Sequence, residues 1–175
     1  MKDELRNKIK IKRRYFQNVQ RAEADRVIAE TFMQAFGNYR SFLIYNSFAA
    51  EADTSRIISM LVAAGKSVYL PRVEGENIVA APFGDTKEGA FGIREPTGQA
   101  FSGDIEVTVA PLLAVNAKGY RIGYGKGFYD RYFKKTRTLK VGLGYAFQME
   151  EFIEDEWDEP LDKYICEKGI YDFGK

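Results

Sequence analysis

A chain of 175 residues with no histidine and one cysteine, Cys166, lacks the parts for Ser-His-Asp or Cys-His nucleophilic chemistry and for the usual His-containing zinc sites. Its formal net charge of +1 is far from the strongly basic balance of nucleic-acid-binding domains, and no stretch reaches the roughly 20 apolar residues that cross a bilayer. An apolar share of 45%, with 13 Phe and 11 Tyr, suffices for one packed core, so residues 1–175 are expected to form a single domain.

The charged start, Met1 to Arg6, has no signal-peptide run and a lone cysteine forms no internal disulfide, so a reducing cytoplasm is the expected location. Cys166 reads as a small, partly buried apolar residue. Enzyme chemistry would fall to carboxylates, Lys, Arg, Tyr, backbone N–H groups and a hard cation. Phosphoryl transfer suits that inventory, because positioning and charge stabilisation do most of its catalysis. Bases cluster between Lys2 and Arg21, and acids between Glu150 and Glu159; most of both read as solvated surface.

Residues 2–17 are predicted helical, with Leu5, Ile9 and Phe16 on one face and bases around the rest. A second helix is expected from about residue 21 to 36, carrying Val27, Ile28 and Phe32 and stopping at Gly37. Residues 41–45 form a buried strand. After the loop 46–52, Asp53 or Thr54 caps a helix through Ile57, Ile58, Leu61 and Val62, which Gly65 ends. Residues 67–70 make the next strand, halted by Pro71. Strand, helix, strand at this spacing is a βαβ unit, which predicts a parallel sheet covered by helices. Further strands are expected at 78–81, 105–110 and 139–145, and a short helix at 127–135. The stretch 84–103 reads as a binding loop, and the tail from Phe147 as irregular, with one more strand near 164–166. The expected fold is α/β: a three-layer sandwich with a mostly parallel sheet and helices on both faces.

Ligands of open α/β sheets bind beyond the carboxyl ends of the strands. Residues 46–53 and 119–130 fall there with suitable chemistry. The second segment reads Gly119-Tyr120-Arg121-Ile122-Gly123-Tyr124-Gly125-Lys126-Gly127-Phe128-Tyr129-Asp130, followed by Arg131. Its alternating glycines let the backbone approach a ligand closely. A helix starting at Gly127 turns free N–H groups and a positive dipole end toward an anion. Arg121 and Lys126 add charge, and Asp130 in the first helical turn could hold a hard cation against phosphates. The run is neither Gly-x-Gly-x-x-Gly nor Gly-x-x-x-x-Gly-Lys-Ser/Thr. Alone, the glycines could make a tight turn; with base, aromatic and carboxylate they point to a phosphate site.

Together with Pro111-Leu112-Leu113-Ala114, the run 121–131 resembles the signature of the 5-formyltetrahydrofolate cyclo-ligase family. Other motifs follow in the family's order along nearly the whole chain. They are Lys2-x-x-Leu5-Arg6, Tyr45-x-Ser47-x-x-x-Glu51-x-Asp53-Thr54, Leu70-Pro71-Arg72, Phe91-Gly92-Ile93-Arg94-Glu95-Pro96 and Asp158-x-x-Leu161-Asp162. The resemblance implies that ATP phosphorylates the formyl oxygen of 5-formyltetrahydrofolate. The N10 amine would then close the ring, giving 5,10-methenyltetrahydrofolate, ADP and phosphate.

The resemblance also implies site residues. Lys2, Arg6, Arg121, Gly123, Gly125, Lys126, Gly127, Phe128 and Tyr129 would bind ATP, with Arg121, Lys126 and Tyr129 in catalytic roles. Asn46, Glu51, Phe91 and Tyr124 would contact the folate, joined by Gly125, Lys126, Gly127 and Phe128. Asp130 and Asp158 would ligate Mg²⁺, the expected cofactor. Without the resemblance, Lys2 and Arg6 read as helix surface, Asp158 as solvated, Glu51 as a helix-dipole partner and Phe91 as core. Trp157 stands where many relatives have histidine, so the chemistry here does not need that residue. The implied partners are the small molecules ATP and 5-formyltetrahydrofolate on a monomer or weak dimer, without nucleic acid or membrane. Three other readings stay open: a phosphosugar isomerase that uses the glycine loop without ATP, a nucleic-acid-binding module built on the basic N-terminus, and a family member that binds without turnover.

Overall fold

The computed structural model describes residues 2–174. In chain order the elements are α1 (Lys2–Tyr15), α2 (Asn18–Phe36), β1 (Ser41–Ile44), α3 (Ser55–Ala63), β2 (Ser67–Glu74) and β3 (Asn77–Pro82). Then come β4 (Thr86–Glu88), β5 (Arg94–Pro96), β6 (Val107–Ala110), β7 (Ala114–Val115) and β8 (Arg121–Ile122). The chain finishes with α4 (Phe128–Lys135), β9 (Leu139–Leu143), β10 (Lys163–Cys166) and β11 (Gly169–Asp172).

Seven strands form the central sheet in the order β11-β10-β9-β6-β1-β2-β3. The inner strands from β10 to β2 are parallel, and the edge strands β11 and β3 run antiparallel to their neighbours. Side chains alternate across the pleat, so each inner strand feeds both faces. Phe42 and Ile44 of β1 pack with Phe32 of α2 and Ile57 of α3. Leu43 between them points the other way and shares a cluster with Tyr69 and with Tyr132 of α4. Helices thus cover both faces of a mostly parallel sheet, the three-layer α/β arrangement expected from the sequence.

Helix α1 covers neither face. Its Leu5 and Ile9 pack on Leu113, Ala114 and Ile122 of the β7–β8 hairpin, which lays the helix across the carboxyl end of the sheet. Its charges also differ from the solvated surface expected. Lys8 and Lys12 both reach Glu150, at 2.8 and 3.2 Å, and Lys2 reaches Asp155 at 2.6 Å. The basic start and the acidic stretch near the end of the chain are therefore two sides of one junction.

Local expectations needed correction at five places. Helix α1 stops at Tyr15 and α2 begins at Asn18, where φ is +60°, a value asparagine tolerates better than most residues. Strand β2 runs through Pro71 to Glu74. The Phe83 N–H donates to the Val68 carbonyl, so Val68 and every second residue after it face β3, while Pro71 faces the β1 side beyond Tyr69, the last residue paired there. Proline is harmless where no ladder donor is needed. Segment 84–103 holds the β4–β5 hairpin rather than a plain loop. Thr54 stands at the start of α3, but its hydroxyl donates to the Tyr45 carbonyl instead of capping, and Asp53 accepts the Ser55 N–H. The tail contains β11 as well as β10. Cys166 is fully buried, and no helix among the described residues is long and apolar enough to cross a membrane.

Candidate active site

The loop after β1, the turn after β6, the segment joining β8 to α4, and the side of α1 enclose one cavity of about 1120 Å³ at the carboxyl end of the sheet. Single drug-sized ligands occupy sites of roughly 300–1,000 Å³, so this space can take two substrates side by side. Every site residue expected from the sequence lines it, although they come from positions as distant as Lys2 and Asp158.

Arg121 leaves β8 into this cavity and is buried. Its Nη1 donates to the Pro111 carbonyl at 3.1 Å, and its guanidinium lies 5.1 Å from the Tyr129 ring centroid. Its Nε has no hydrogen-bond partner, and no carboxylate pairs with it among the described residues. Burial pulls the guanidinium pKa down and pushes the Tyr129 phenol up. A buried cation with unused donors is costly until an anion meets it, which makes Arg121 a strong anion-seeking group.

The loop beyond Arg121 is built to leave that group accessible. A Cβ at Gly123 would sit 2.6 Å from Arg121 Nη1, so any larger residue there would push the guanidinium out of its place. Gly127 takes φ +71° at the start of α4, a left-handed conformation that glycine adopts without strain and that leaves the first helical N–H groups open. Arg6 lies along the loop: its Nε donates to the Gly123 carbonyl at 2.9 Å, its Nη1 to Asp3 at 2.7 Å, and Gly125 rests against its guanidinium. Arg131 anchors the far side through the Lys126 and Glu76 carbonyls and lies over the Phe128 ring at 5.5 Å. The Lys126 ammonium is 5.5 Å from the ring centroid of Phe91, which caps the β4–β5 hairpin at φ +61°. Phe91 is 58% exposed, so it is a rim residue rather than core.

Beside the loop sits an acidic corner. Asp130 Oδ1 accepts the Glu159 N–H at 3.2 Å, and burial raises the Asp130 pKa against the opposing pull of Arg121. Asp158 Oδ2 accepts from the Asp155 N–H at 2.9 Å and from Lys2 Nζ at 3.2 Å. Burial works against the Lys2 ammonium, yet Asp155 and Asp158 outweigh it and raise its pKa. Among the described residues no group of three or more His, Cys, Asp or Glu side chains is gathered for a metal. Mg²⁺ beside phosphates needs only one or two carboxylates, and Asp130 and Asp158 are hard oxygen donors of that kind.

The opposite wall is lined by the loop after β1. Asn46 lines the cavity, and Glu51 is 7% exposed, with Oε1 accepting the Phe48 N–H at 2.7 Å and Oε2 the Tyr124 hydroxyl at 3.2 Å. Burial raises the Glu51 pKa and, more than any other cause, that of Tyr124. Arg21 of α2 holds the loop by donating to the Ala49 and Glu51 carbonyls, both at 2.8 Å. Sequence reasoning missed Arg13, which is buried and donates from Nη1 to the Tyr124 hydroxyl at 3.1 Å. A signal existed: Arg13 follows Ile9 by four residues and falls on the apolar stripe of α1, where a solvated charge does not belong.

The sequence profile of the 5-formyltetrahydrofolate cyclo-ligase family matches residues 1–167. The 5-formyltetrahydrofolate cyclo-ligase of Haemophilus influenzae is 32% identical over 136 residues, which cover 70% of this chain and 73% of that one. The enzyme of that name from Mycoplasma genitalium is 51% identical over a shorter stretch of 65 residues, 36% of this chain and 39% of its relative. The solved structure of Aquifex aeolicus 5,10-methenyltetrahydrofolate synthetase superposes with a TM-score of 0.88 at 30% identity, covering 99% of this chain and 93% of that one. With a glycine loop, buried arginine and acidic corner meeting in one cavity, and with these relatives over most of its length, the chain belongs to the 5-formyltetrahydrofolate cyclo-ligase family.

Proposed function

We propose that the protein converts 5-formyltetrahydrofolate to 5,10-methenyltetrahydrofolate at the expense of ATP. The observation that carries this reading is the two-sided cavity: a buried, anion-seeking Arg121 at the glycine loop on one wall, and the buried acceptor Glu51 on the other. The first wall suits a triphosphate. The second suits the N–H donors of a pterin ring.

The formyl oxygen attacks the γ-phosphorus and ADP leaves. Oxygen bound to carbon in an amide-like group is a poor leaving group; as a phosphate ester it is a good one. The N10 lone pair then attacks the activated carbon, the C–O bond breaks, phosphate departs and N10 loses its proton. Holding N10 beside that carbon makes closure an intramolecular step. Arg121 and Lys126, with the N–H groups at the start of α4, bind and orient the phosphates, and Tyr129 supports the Arg121 guanidinium. Arg6 and Lys2 close over the nucleotide from α1, with Lys2 exchanging its acidic partners for phosphate. Asp130 and Asp158 would hold Mg²⁺, which when bound neutralises phosphate charge. Glu51 and Tyr124 orient the pterin ring, and Phe91 excludes water from the rim.

The test is product formation followed by absorbance of the methenyl-folate band. The expected result is a band that grows with 5-formyltetrahydrofolate, Mg²⁺ and ATP together. Growth without ATP, or after EDTA treatment, would overturn the phosphorylation route.

A further inference from the structure

Arg13 is a charged side chain in an apolar position. It is 6% exposed, projecting from the stripe of α1 that also buries Ile9. Its Nη2 donates to the Leu112 carbonyl at 2.9 Å and its Nη1 to the Tyr124 hydroxyl at 3.1 Å, while its Nε has no partner. No carboxylate pairs with it directly among the described residues. The Tyr124 hydroxyl in turn donates to Glu51 Oε2 at 3.2 Å. One phenol thus separates a buried cation from a buried anion.

We propose that Arg13 is a positioning residue of the substrate pocket, holding the Tyr124 phenol toward Glu51 and placing a buried positive charge one hydroxyl away from the Glu51 carboxylate without occupying it. This rests on the reading of Glu51 as the substrate-side acceptor. A direct Arg–Glu pair would fill the carboxylate with two parallel bonds. Acting through a hydroxyl leaves each oxygen spare acceptor capacity, since among the described residues Oε1 takes only the Phe48 N–H and Oε2 only the Tyr124 hydroxyl. The other groups facing Glu51 do not replace the cation. Tyr45 just after β1, and Tyr124 and Tyr129 from around the glycine loop, present neutral phenols. Arg21 of α2 bonds the Glu51 main-chain carbonyl. Burial raises the Glu51 pKa and Arg13 opposes it, so removing Arg13 confines the ionised form to higher pH.

The experiment compares Arg13→Met and Arg13→Lys with the intact wild-type chain by two readouts. The first is a ¹³C NMR titration of the Glu51 carboxyl, assigned with Glu51→Gln. The second is KM for 5-formyltetrahydrofolate and for ATP across pH. In Arg13→Met the Glu51 midpoint should rise by about one unit, the typical effect of losing a nearby opposite charge. At neutral pH the folate KM should rise about tenfold, as for a lost charge-assisted contact, with the ATP KM unchanged. The acid limb of folate kcat/KM should shift upward, and the deficit should shrink above it. Arg13→Lys keeps the charge and should restore part of the limb; it also carries the comparison, against Arg13→Gln, if the Met variant does not fold. An unmoved Glu51 midpoint, or equal losses for ATP and folate with only a lower Tm, overturns the proposal. If the wild type makes no methenyl product, the functional reading fails, while the carboxyl titration still decides the role of Arg13.

Discussion

Replacing Arg121 with methionine should weaken ATP binding strongly while barely harming the empty protein. The side chain length is kept and the charge removed. In the empty protein the guanidinium makes one bond among the described residues, to Pro111 at 3.1 Å, and leaves Nε unsatisfied in a buried place. Losing that bond costs about 1 kcal/mol. Losing an unpaired buried cation offsets the cost, as when buried ions give way to apolar groups. The apoprotein Tm should therefore stay within about 3 °C of wild type, since 1 kcal/mol moves a chain of this size by roughly 2–4 °C. With ATP the balance reverses. A charge-assisted contact to phosphate is worth about 1.5–3 kcal/mol, or roughly 10- to 150-fold in affinity. ATP at about 100 times its Kd stabilises by about 2.7 kcal/mol, a shift of roughly 5–11 °C. With affinity about thirtyfold weaker, the same ATP concentration gives about 0.9 kcal/mol and only 2–4 °C. Thermal melts over a Mg·ATP titration measure both quantities. An undiminished ATP shift would refute the phosphate role, and an apoprotein Tm about 10 °C lower would make Arg121 a structural residue instead.

Arg6→Ala should raise the ATP KM about tenfold and leave folate binding nearly intact, because Arg6 meets the cavity at the glycine-loop wall, through the Gly123 carbonyl; steady-state kinetics with each substrate varied decides it. Asp130→Asn should lose most turnover, with partial rescue at high Mg²⁺, yet gain stability near neutral pH. The sign follows from the raised Asp130 pKa: the native state holds this proton longer than the unfolded chain, so stability falls as pH climbs from the unfolded value through the native one. Melts of wild type and variant from pH 4 to 8 should diverge upward for Asn; convergence would contradict the burial argument. Gly127→Ala should lower Tm by roughly 2–4 °C, about 1 kcal/mol for a left-handed residue gaining a Cβ, and raise the ATP KM by tilting the start of α4. A normal Tm would show that this turn relaxes freely.

Much of the fold was legible because the signals were local. The apolar run around Leu43, the helix through Ile57 and Leu61, and the next strand from Ser67 give a βαβ unit without reference to the rest of the chain. The glycine loop was legible for the same reason, since its glycines, bases and carboxylate are neighbours in sequence. Pro71 misled, because whether a strand tolerates proline depends on which side its partner lies, and only the register tells. The pairing of Lys2, Lys8 and Lys12 with acids about 140 or more residues away was equally invisible. Two runs of opposite charge look solvated until the fold brings them together. Arg13 shows the subtler case: its helical phase marked it as buried, but its partners, Leu112 and Tyr124, are defined only by tertiary structure.

The central claim is that both walls of one cavity act together, joining phosphoryl transfer from ATP to ring closure. The most direct test measures methenyl product and ADP in the same reaction of purified protein with 5-formyltetrahydrofolate and Mg·ATP. The account predicts one ADP and one phosphate per methenyl group formed, and negligible amounts of either product when one substrate is withheld. Methenyl formation without ADP, or steady ADP release without folate turnover, would contradict it.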